Sequence, residues 1–185
     1  MPFELQPTLT GDLVELKPLC ADDFDALFAV ARDPLIWEQH PERERYQEEV
    51  FRRFFREAME SGGAFVVVDK STGQIIGSTR YFGYDEERSE IEIGWTFLAR
   101  SHWGGRYNQE MKRLMLGHAF QFVERVIFLV GPRNFRSRRA VEKIGGVERG
   151  RDFRSGRESV VYEISAAKFK SGPLFTQGAT SYQRE

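Results

Sequence analysis

The chain has 185 residues, a length that corresponds to one domain. Apolar residues make up 41% of it and aromatic residues 14%, which is enough for a hydrophobic core and excludes a disordered chain. The 27 Lys and Arg residues nearly balance the 28 Asp and Glu residues. This balance argues against a protein that holds nucleic acid or an anionic membrane by its overall charge.

Cysteine content and the first residues indicate the compartment and exclude some kinds of site. The single cysteine, Cys20, can form neither an internal disulfide nor a cysteine-based zinc site. We expect it to be a small apolar core residue at the end of a strand. Residues 1–10 lack a basic segment followed by an apolar run, and no stretch of the sequence resembles a membrane span. These features predict a soluble, cytoplasmic protein, and no metal site is assigned.

The first part of the chain is predicted to hold one strand, two helices and a three-strand meander. Pro and Gly residues mark the ends of several of these elements. Apolar residues alternate in the strands and recur with a helical period in the helices. The predicted elements are a strand over 12–18, a helix from Asp22 or Asp23 to just before Pro34, a loop over 37–41, a helix over about 47–61, and strands over 64–68, 75–84 and 89–98.

Two of these elements have a clear apolar face. We expect the second helix to lie on a sheet through Val50, Phe51, Phe54, Phe55, Ala58 and Met59. In the third meander strand, alternation predicts that one face is shared by Ile91, Ile93, Trp95 and Phe97. Glu90 and Glu92 would then point to the opposite face.

The second part of the chain is predicted to alternate between helices and strands. The elements are a helix over about 107–122, a strand over 126–130, a helix over 137–144, and a final strand pair over 147–151 and 159–164. The long helix is expected to bury Met111, Leu114, Met115, His118 and Phe122. Residues 166–185 are predicted to form a poorly ordered tail. Residues 1–165 are predicted to form a single α/β (α+β) domain, a mixed central sheet of about seven strands flanked by about four helices.

A glycine-containing segment joins the meander to the long helix, with the sequence Ser101-His102-Trp103-Gly104-Gly105-Arg106-Tyr107-Asn108. Glycines permit close backbone approach, and a helix start offers N–H groups to an anion, so a phosphate-bearing ligand fits this segment. The segment lacks the Gly-Lys-Ser/Thr of a P-loop and the third glycine of a dinucleotide fingerprint. An ordinary glycine turn is the alternative.

Two motifs resemble the GNAT superfamily of acyl-CoA-dependent N-acyltransferases, in particular its ribosomal-protein N-terminal acetyltransferase branch. In that branch a Glu-Ile-Gly strand leads to a Trp-Gly-x-Gly-Tyr-Ala loop, and here Glu92-Ile93-Gly94 leads to Trp103-Gly104-Gly105-Arg106-Tyr107-Asn108. The family also places an Asn after the fifth strand, a Ser three residues later and Glu-Lys-Ile-Gly at the end of the next helix. Asn134, Ser137 and Glu142-Lys143-Ile144-Gly145 match those positions. The resemblance covers about residues 13–164.

The resemblance implies a GNAT-like fold, a reaction and a set of site residues. The reaction is transfer of acetyl from acetyl-CoA to a primary amine, such as a protein N-terminus or a small-molecule amine, by direct attack in a ternary complex. Glu92 is the implied base and Ser137 the implied proton donor to the thiolate. The implied cofactor-binding residues are Phe97, Leu98, Trp103, Gly104, Gly105, Arg106, Tyr107, Asn108, Asn134 and Arg139. Trp37 and His40 are implied in the acceptor pocket.

The sequence departs from the family pattern at three positions. Arg106 replaces the usual second glycine, Asn108 the usual alanine, and Val141 a tyrosine that protonates the thiolate in many members. The changes at Arg106 and Asn108 concern cofactor binding. The backbone N–H groups of the loop can still bind the pyrophosphate if residue 106 does not require a positive φ. The third leaves Ser137 as the implied acid.

Several residues have a purely structural interpretation as well. Glu92 can be a surface carboxylate in an ion pair, Ser137 and Asn134 can be helix or loop caps, and His40 can be a solvated loop residue. We expect His102 to orient the glycine loop and His118 to be a satisfied core histidine.

Two other function classes are compatible with the sequence. One is a catalytically silent acyl-CoA-binding regulatory module, given the departures above. The other, less favoured, is an RNA- or ribosome-binding adaptor that uses the basic segment 133–157, which contains nine Lys or Arg residues and three Asp or Glu residues. The same segment can instead be a solvated basic helix face, or it can bind the ADP and 3'-phosphate of CoA through Arg139 or Arg136. A membrane partner is not expected, and both a monomer and a homodimer are compatible with the sequence.

Overall fold

The computed structural model describes residues 3–153, 156–172 and 174, and within them eight strands form one mixed sheet that carries five α-helices. The strands are β1 Leu9–Thr10, β2 Val14–Pro18, β3 Ala64–Asp69, β4 Ile75–Asp85, β5 Glu90–Leu98, β6 Arg125–Val130, β7 Val147–Asp152 and β8 Ser159–Ser165. The helices are α1 Phe24–Ala31, α2 Glu48–Glu60, α3 Arg106–Ala119, α4 Phe135–Lys143 and α5 Ala166–Ser171. The predicted fold class is confirmed, with the short β1 as an additional strand and α5 as an additional helix.

The sheet has the order β1-β2-β3-β4-β5-β6-β8-β7, and all neighbours are antiparallel except β5 and β6. The parallel ladder of β5 and β6 ends where Glu92 pairs with Ile127. Beyond this point β5 continues to Leu98 and β6 to Val130 without pairing to each other. The two central strands therefore separate and leave an opening in the middle of the sheet.

Each face of the sheet has its own hydrophobic core. One core contains buried residues of α3 and α4 together with Phe169 of α5, and the other contains buried residues of α1 and α2. The apolar face predicted for α2 is confirmed at Phe51, Phe54, Phe55 and Ala58, all of which are buried. The two other predicted residues are not buried, because Val50 is only partly buried and Met59 is 39% exposed. The opening between β5 and β6 thus lies between two separately packed layers.

Strand β5 does not keep one apolar face, and the expectation that Ile91, Ile93, Trp95 and Phe97 share a face is wrong. Ile91 and Ile93 are buried in the core with α3, whereas Phe97 is buried in the core with α1 and α2. Opposite β4, Gly94 pairs with Arg80 and Phe97 pairs with Ser78. This register is a β-bulge, in which an extra residue shifts the alternation.

The bulge is centred on Trp95, which has a φ of 51°. Trp95 packs against the core of α1 and α2, on the side where Phe97 lies. Thr96 is turned to the other side, where it contacts α3. The bulge lies beyond the last paired residues of β5 and β6, so it forms part of the wall of the opening.

The prediction that Cys20 is a core residue at the end of a strand is wrong. Cys20 is exposed, because the chain leaves the sheet at Pro18 and turns into a 3-10 helix over Ala21–Asp23. The Cys20 thiol lies 3.1 Å from a carboxylate oxygen of Asp23, a contact that raises the pKa of the thiol.

The folded region extends past residue 165. Ser165 caps α5 by accepting a hydrogen bond from the Lys168 backbone, and Phe169 and Leu174 are buried. The rest of the predicted tail, residues 173 and 175–185, lies outside the described residues. In the part of the chain that the structure describes, no helix has the length and apolar character to cross a membrane.

Candidate functional site

The glycine loop lies at the end of β5, beside the opening in the sheet. Gly104 and Gly105 have φ angles of 106° and 116°, a region that favours glycine, and α3 begins directly after them at Arg106. Arg106 and Asn108 do not have positive φ. The two departures from the family loop therefore leave the backbone conformation and its N–H groups intact, and the loop keeps the geometry of an anion site at a helix start.

The side chains that precede the glycines hold the loop in place. The indole N–H of Trp103 donates to the Leu98 carbonyl at 2.9 Å, which ties the loop to the end of β5. His102 Nε2 lies 3.1 Å from an oxygen of the buried Asp69, as expected of a residue that orients the loop. Hydrogen bonds from Ser71, and a smaller one from His102, lower the pKa of Asp69. The loop is thus anchored to β3 and β5.

Arg136 joins three parts of the site that are distant in sequence. Its guanidinium lies 4.1 Å from the centroid of the Trp103 ring, and Nη2 donates to the Ile36 carbonyl at 2.6 Å. Its backbone N–H donates to Gln39 Oε1 at 3.1 Å. The start of α4, the glycine loop and the loop after α1 therefore contact one another. The sequence indicated Arg136, like Arg139, as a candidate contact for the phosphates of CoA, but it gave no sign of these contacts.

Asn134 and Ser137 lie at the start of α4, where β6 ends. Asn134 is 6% exposed and its side-chain oxygen accepts a hydrogen bond from the Ser137 backbone N–H at 3.2 Å. This is the capping interaction that the sequence left open as an alternative. It leaves the Asn134 side-chain N–H groups for another partner, so capping and ligand binding are compatible.

We expect Asn134→Ala to lower both stability and cofactor affinity. Loss of the cap costs about 1 kcal/mol of unfolding free energy. Loss of an amide hydrogen bond to bound acetyl-CoA adds a decrease in affinity of about fivefold. Chemical denaturation and calorimetric titration with acetyl-CoA measure the two effects separately. Asn134→Ser retains a cap, so it should preserve most of the stability but not the affinity. An unchanged affinity in Asn134→Ala would remove this residue from the cofactor site.

Glu92 lies on the face of β5 opposite Ile91 and Ile93, as predicted, and its carboxylate lies near Gly94. A Cβ at Gly94 would be 3.1 Å from Glu92 Oε1, so glycine at this position of the Glu-Ile-Gly motif leaves room for the carboxylate. Glu92 is half-buried, and its charge acts on the guanidinium of Arg80. The Glu92 carboxylate therefore lies on the α1 and α2 side of the sheet, next to the opening.

Arg80 is a buried cation that the sequence did not single out. It is 4% exposed, its guanidinium lies 4.5 Å from the Trp95 ring centroid, and its Nε and Nη2 atoms have no hydrogen-bond partner among the described residues. Burial lowers the pKa of Arg80 to about 10, against the opposing effect of Glu57 and Glu92. A guanidinium with this pKa stays charged at neutral pH and stabilises carboxylates near it.

The loop after α1 contributes the predicted acceptor residues, but in different environments. Trp37 is 2% exposed, and its indole N–H donates to the Ala31 carbonyl at 2.7 Å, so it supports the loop from inside the core. His40 Nδ1 accepts from the Glu42 backbone N–H at 2.9 Å. Burial, and then the charge of Arg45, lowers the pKa of His40 to about 3. A histidine with this pKa is neutral and a poor proton acceptor at physiological pH.

A cleft of about 280 Å³ lies beside this loop. It is lined by Glu42, Arg45, Val50, Arg53, Phe54 and Glu57. Phe54 also contacts two arginines, with its ring centroid 4.7 Å from the guanidinium carbon of the partly buried Arg45 and 5.7 Å from that of the buried Arg80. The cleft and Glu92 are therefore on the same side of the sheet, connected through Phe54 and Arg80.

On the opposite side of the sheet, Lys112 of α3 is buried beneath the bulge. It is 5% exposed, and its Nζ donates to Thr96 Oγ1 at 2.6 Å. The Phe128 ring centroid on β6 lies 5.7 Å from the same nitrogen. Burial lowers the pKa of Lys112 to about 7. The long helix was expected to be apolar on this face, with Leu114 and Phe122 buried, but both are only partly buried and Lys112 lies inside.

Most of the basic segment 133–157 is paired with carboxylates. The ion pairs are Arg136 with Glu38, Arg138 with Glu148, Arg149 with Glu163, Arg151 with Glu148 and Glu158, and Arg157 with Glu42. Arg139 is exposed on α4, and within the described residues it has no hydrogen bond or ion pair. The excess of charge available to an external anion is thus much smaller than the sequence suggested.

The packing at the end of α4 accounts for the glycine at position 146. Val141 is buried, and a Cβ at Gly146 would lie 2.4 Å from its Cγ1, so the residue after the final glycine of the motif must itself be glycine here. The ring of His118 has a hydrogen-bond partner, as expected, because its Nε2 lies 2.8 Å from the Glu4 carbonyl oxygen.

In the portion described by the structure, no group of three or more His, Cys, Asp or Glu residues is arranged to hold a metal ion.

Comparison with known proteins identifies the family. The family model for the acetyltransferase (GNAT) domain matches residues 14–147. Among solved structures, the chain is similar to a GCN5-related N-acetyltransferase from Brucella melitensis, with a TM-score of 0.83, 21% identity, and coverage of 97% of this chain and 86% of that one. A search of curated proteins finds no match.

Two further similar structures contain coenzyme A compounds. One is Mycobacterium smegmatis RimJ in complex with CoA-disulfide, with a TM-score of 0.68, 20% identity, and coverage of 91% of this chain and 89% of that one. The other is spermidine N-acetyltransferase from Vibrio cholerae in complex with CoA and spermine, with a TM-score of 0.65, 18% identity, and coverage of 86% and 99%. Because the family model spans most of the chain, this protein belongs to the GNAT family of acetyltransferases, whose members transfer acetyl groups from acetyl-CoA.

Proposed function

We propose that this protein transfers the acetyl group of acetyl-CoA to a primary amine, either a protein N-terminus or a small-molecule amine, by direct attack in a ternary complex. The observation that carries the proposal is the opening between β5 and β6. The glycine loop and α3 lie on one side of the sheet at this opening, and Glu92 and the cleft lie on the other side. A cofactor and an acceptor bound on opposite sides can react through this opening without a covalent enzyme intermediate.

The cofactor side offers groups for each part of acetyl-CoA. The backbone at Gly104, Gly105 and Arg106 is suited to the pyrophosphate, and Tyr107 and Asn108 extend that surface along α3. Asn134 is suited to the pantetheine arm, and Arg139 to a phosphate of the nucleotide. Phe97 and Leu98 are buried at the end of β5, so they shape the opening through the bulge and through the Leu98 carbonyl that binds Trp103.

The acceptor side supplies a base. An amine must lose a proton to attack a thioester, and Glu92 is the carboxylate next to the opening. The charge of the Glu92 carboxylate interacts with the nearby guanidinium of Arg80, whereas the low pKa of His40 makes that histidine a poor alternative. Ser137, at the first turn of α4, is the residue that the family resemblance implies as proton donor to the thiolate. Trp37 and His40 shape the acceptor side by supporting its loop.

Calorimetric titration with acetyl-CoA, followed by thiol release against a panel of primary amines, tests this proposal. The panel contains peptide N-termini, amino acids and polyamines. We expect micromolar binding and thiol release that depends on the amine, and the best amine identifies the acceptor class. Binding without release from any amine would favour a silent acyl-CoA-binding module, and absence of binding would contradict the proposal.

A further inference from the structure

Lys112 is a buried cation in a place where the reaction develops a negative charge. Its Nζ is bound to Thr96 in the bulge of β5 and faces the ring of Phe128 on β6, so it lies between the two strands that separate. Thr79 Oγ1 lies 2.9 Å from Thr96 Oγ1 and 3.5 Å from Nζ. Among the described residues, no ion pair joins a carboxylate to Lys112, and burial is the cause of its lowered pKa.

A buried ammonium is costly unless an anion or several hydrogen-bond acceptors compensate it. Two threonine hydroxyls provide only part of this compensation. Lys112 also lies four residues after Asn108, so both polar side chains are on the same face of α3. Asn108 belongs to the glycine-loop segment proposed to hold the pyrophosphate. A ligand that extends from the start of α3 into the opening therefore runs toward β5 and β6, between which Lys112 Nζ lies.

We propose that Lys112 donates a hydrogen bond, and then a proton, to the sulfur of coenzyme A as the thioester breaks, an inference that rests on the proposed function. The acceptor nitrogen forms the new N–C bond, the C–S bond breaks, and its electron pair goes to sulfur. The proton on Lys112 Nζ moves to sulfur and leaves a neutral amine. Glu92 takes the first proton from the acceptor ammonium before attack and releases it to solvent, and it then takes the second proton from the acceptor nitrogen as the amide forms. Solvent then reprotonates Lys112. Lys112 thus supplies the acid that is absent at Val141.

The test compares coenzyme A with desulfo-coenzyme A, which lacks the sulfur, by calorimetric titration. Wild-type protein is expected to bind coenzyme A about tenfold more tightly, because one charge-assisted hydrogen bond is lost with the sulfur. In Lys112→Met the preference is expected to fall below about twofold. Arg113→Met, which changes the adjacent and partly exposed residue of α3, is the matched control and should keep the tenfold preference.

Each outcome of this test decides the inference. A wild-type protein that binds both compounds equally, or a Lys112→Met protein that keeps the preference, overturns it. Loss of the preference in Ser137→Ala but not in Lys112→Met assigns the sulfur contact to Ser137 and also overturns it. If wild-type protein binds neither compound, the proposed function fails and the inference fails with it. Thermal unfolding checks that each variant is folded, and Lys112→Gln replaces Lys112→Met if the latter does not fold.

Discussion

Replacement of Lys112 by methionine is expected to raise the free energy of unfolding at pH 7. Burial lowers the pKa of this amine from 10.5 to about 7. At 1.36 kcal/mol per pKa unit, this difference corresponds to a penalty on the folded state of about 5 kcal/mol. Methionine has a similar length and no charge, and it loses only the hydrogen bond to Thr96, which contributes about 1 kcal/mol. The net expectation is a gain of roughly 4 kcal/mol.

The sign of the pH dependence distinguishes this penalty from a packing effect. Between pH 7 and 10.5 the unfolded chain holds a proton on Lys112 that the folded protein has released, so wild-type stability rises with pH. The penalty is fully present below about pH 7 and disappears toward pH 10.5. The advantage of Lys112→Met should therefore be largest at or below pH 7 and shrink by about 1.4 kcal/mol per pH unit above it.

Urea denaturation of both proteins from pH 6 to 9 measures this difference. Lys143→Met, at an exposed position of α4, is the control and should follow the pH dependence of the wild type. A difference between wild type and Lys112→Met that stays constant over this range would mean that the folded protein does not lower the pKa of Lys112. If the expected result is obtained, the wild type retains a destabilising residue, as is common where function requires a buried charge.

The order of the elements could be predicted because each depends on local periodicity. Alternation and helical spacing placed the meander strands, α2 and α3 to within a few residues, and the pair Gly145-Gly146 indicated the end of α4. The resemblance to a known family placed the glycine loop on the correct connection. These features depend on residues that are close in sequence, so the sequence contains the signal.

The bulge and the buried cations could not be predicted in this way. The sequence of β5 continues to alternate through Trp95, and only the register against β4 shows the extra residue. Arg80 and Lys112 have the residue type of a surface position, and their burial follows from tertiary packing around the opening. Lys112 did carry a weak signal, because it lies next to Met111 and three residues before Met115 on the buried stripe of α3. Arg136 contacts Ile36 across 100 residues, a distance at which local patterns carry no information.

Glu92→Gln is expected to lower kcat/KM at neutral pH by a factor of about 10² to 10⁴, the range in which a general base contributes. Glutamine keeps the size and the hydrogen-bonding capacity of the side chain but cannot accept the proton of the acceptor ammonium. The effect should shrink as the pH approaches and passes the pKa of the acceptor amine, because the amine is then already neutral. Acetyl-CoA affinity should change little, since Glu92 lies on the opposite side of the sheet from the glycine loop.

Glu90→Gln is the matched control for this experiment. Glu90 lies two residues earlier on the same face of β5, but its carboxylate is within 3.4 Å of Arg125 and 3.8 Å of Arg88. We expect this variant to retain most of the activity at every pH. The rates of both variants are measured from pH 6 to 10 with the best amine from the thiol-release panel.

The pH dependence decides between two roles for Glu92. A base makes the loss in Glu92→Gln large at low pH and small at high pH. If Glu92 instead only neutralises the buried guanidinium of Arg80, the loss should be similar at every pH, and stability should fall together with activity. The variant Arg80→Met distinguishes further between these two roles of Glu92. Without the guanidinium the Glu92 carboxylate is protonated more easily, so the acid limb of the rate profile should move to higher pH if Glu92 is the base, and should not move if it is structural.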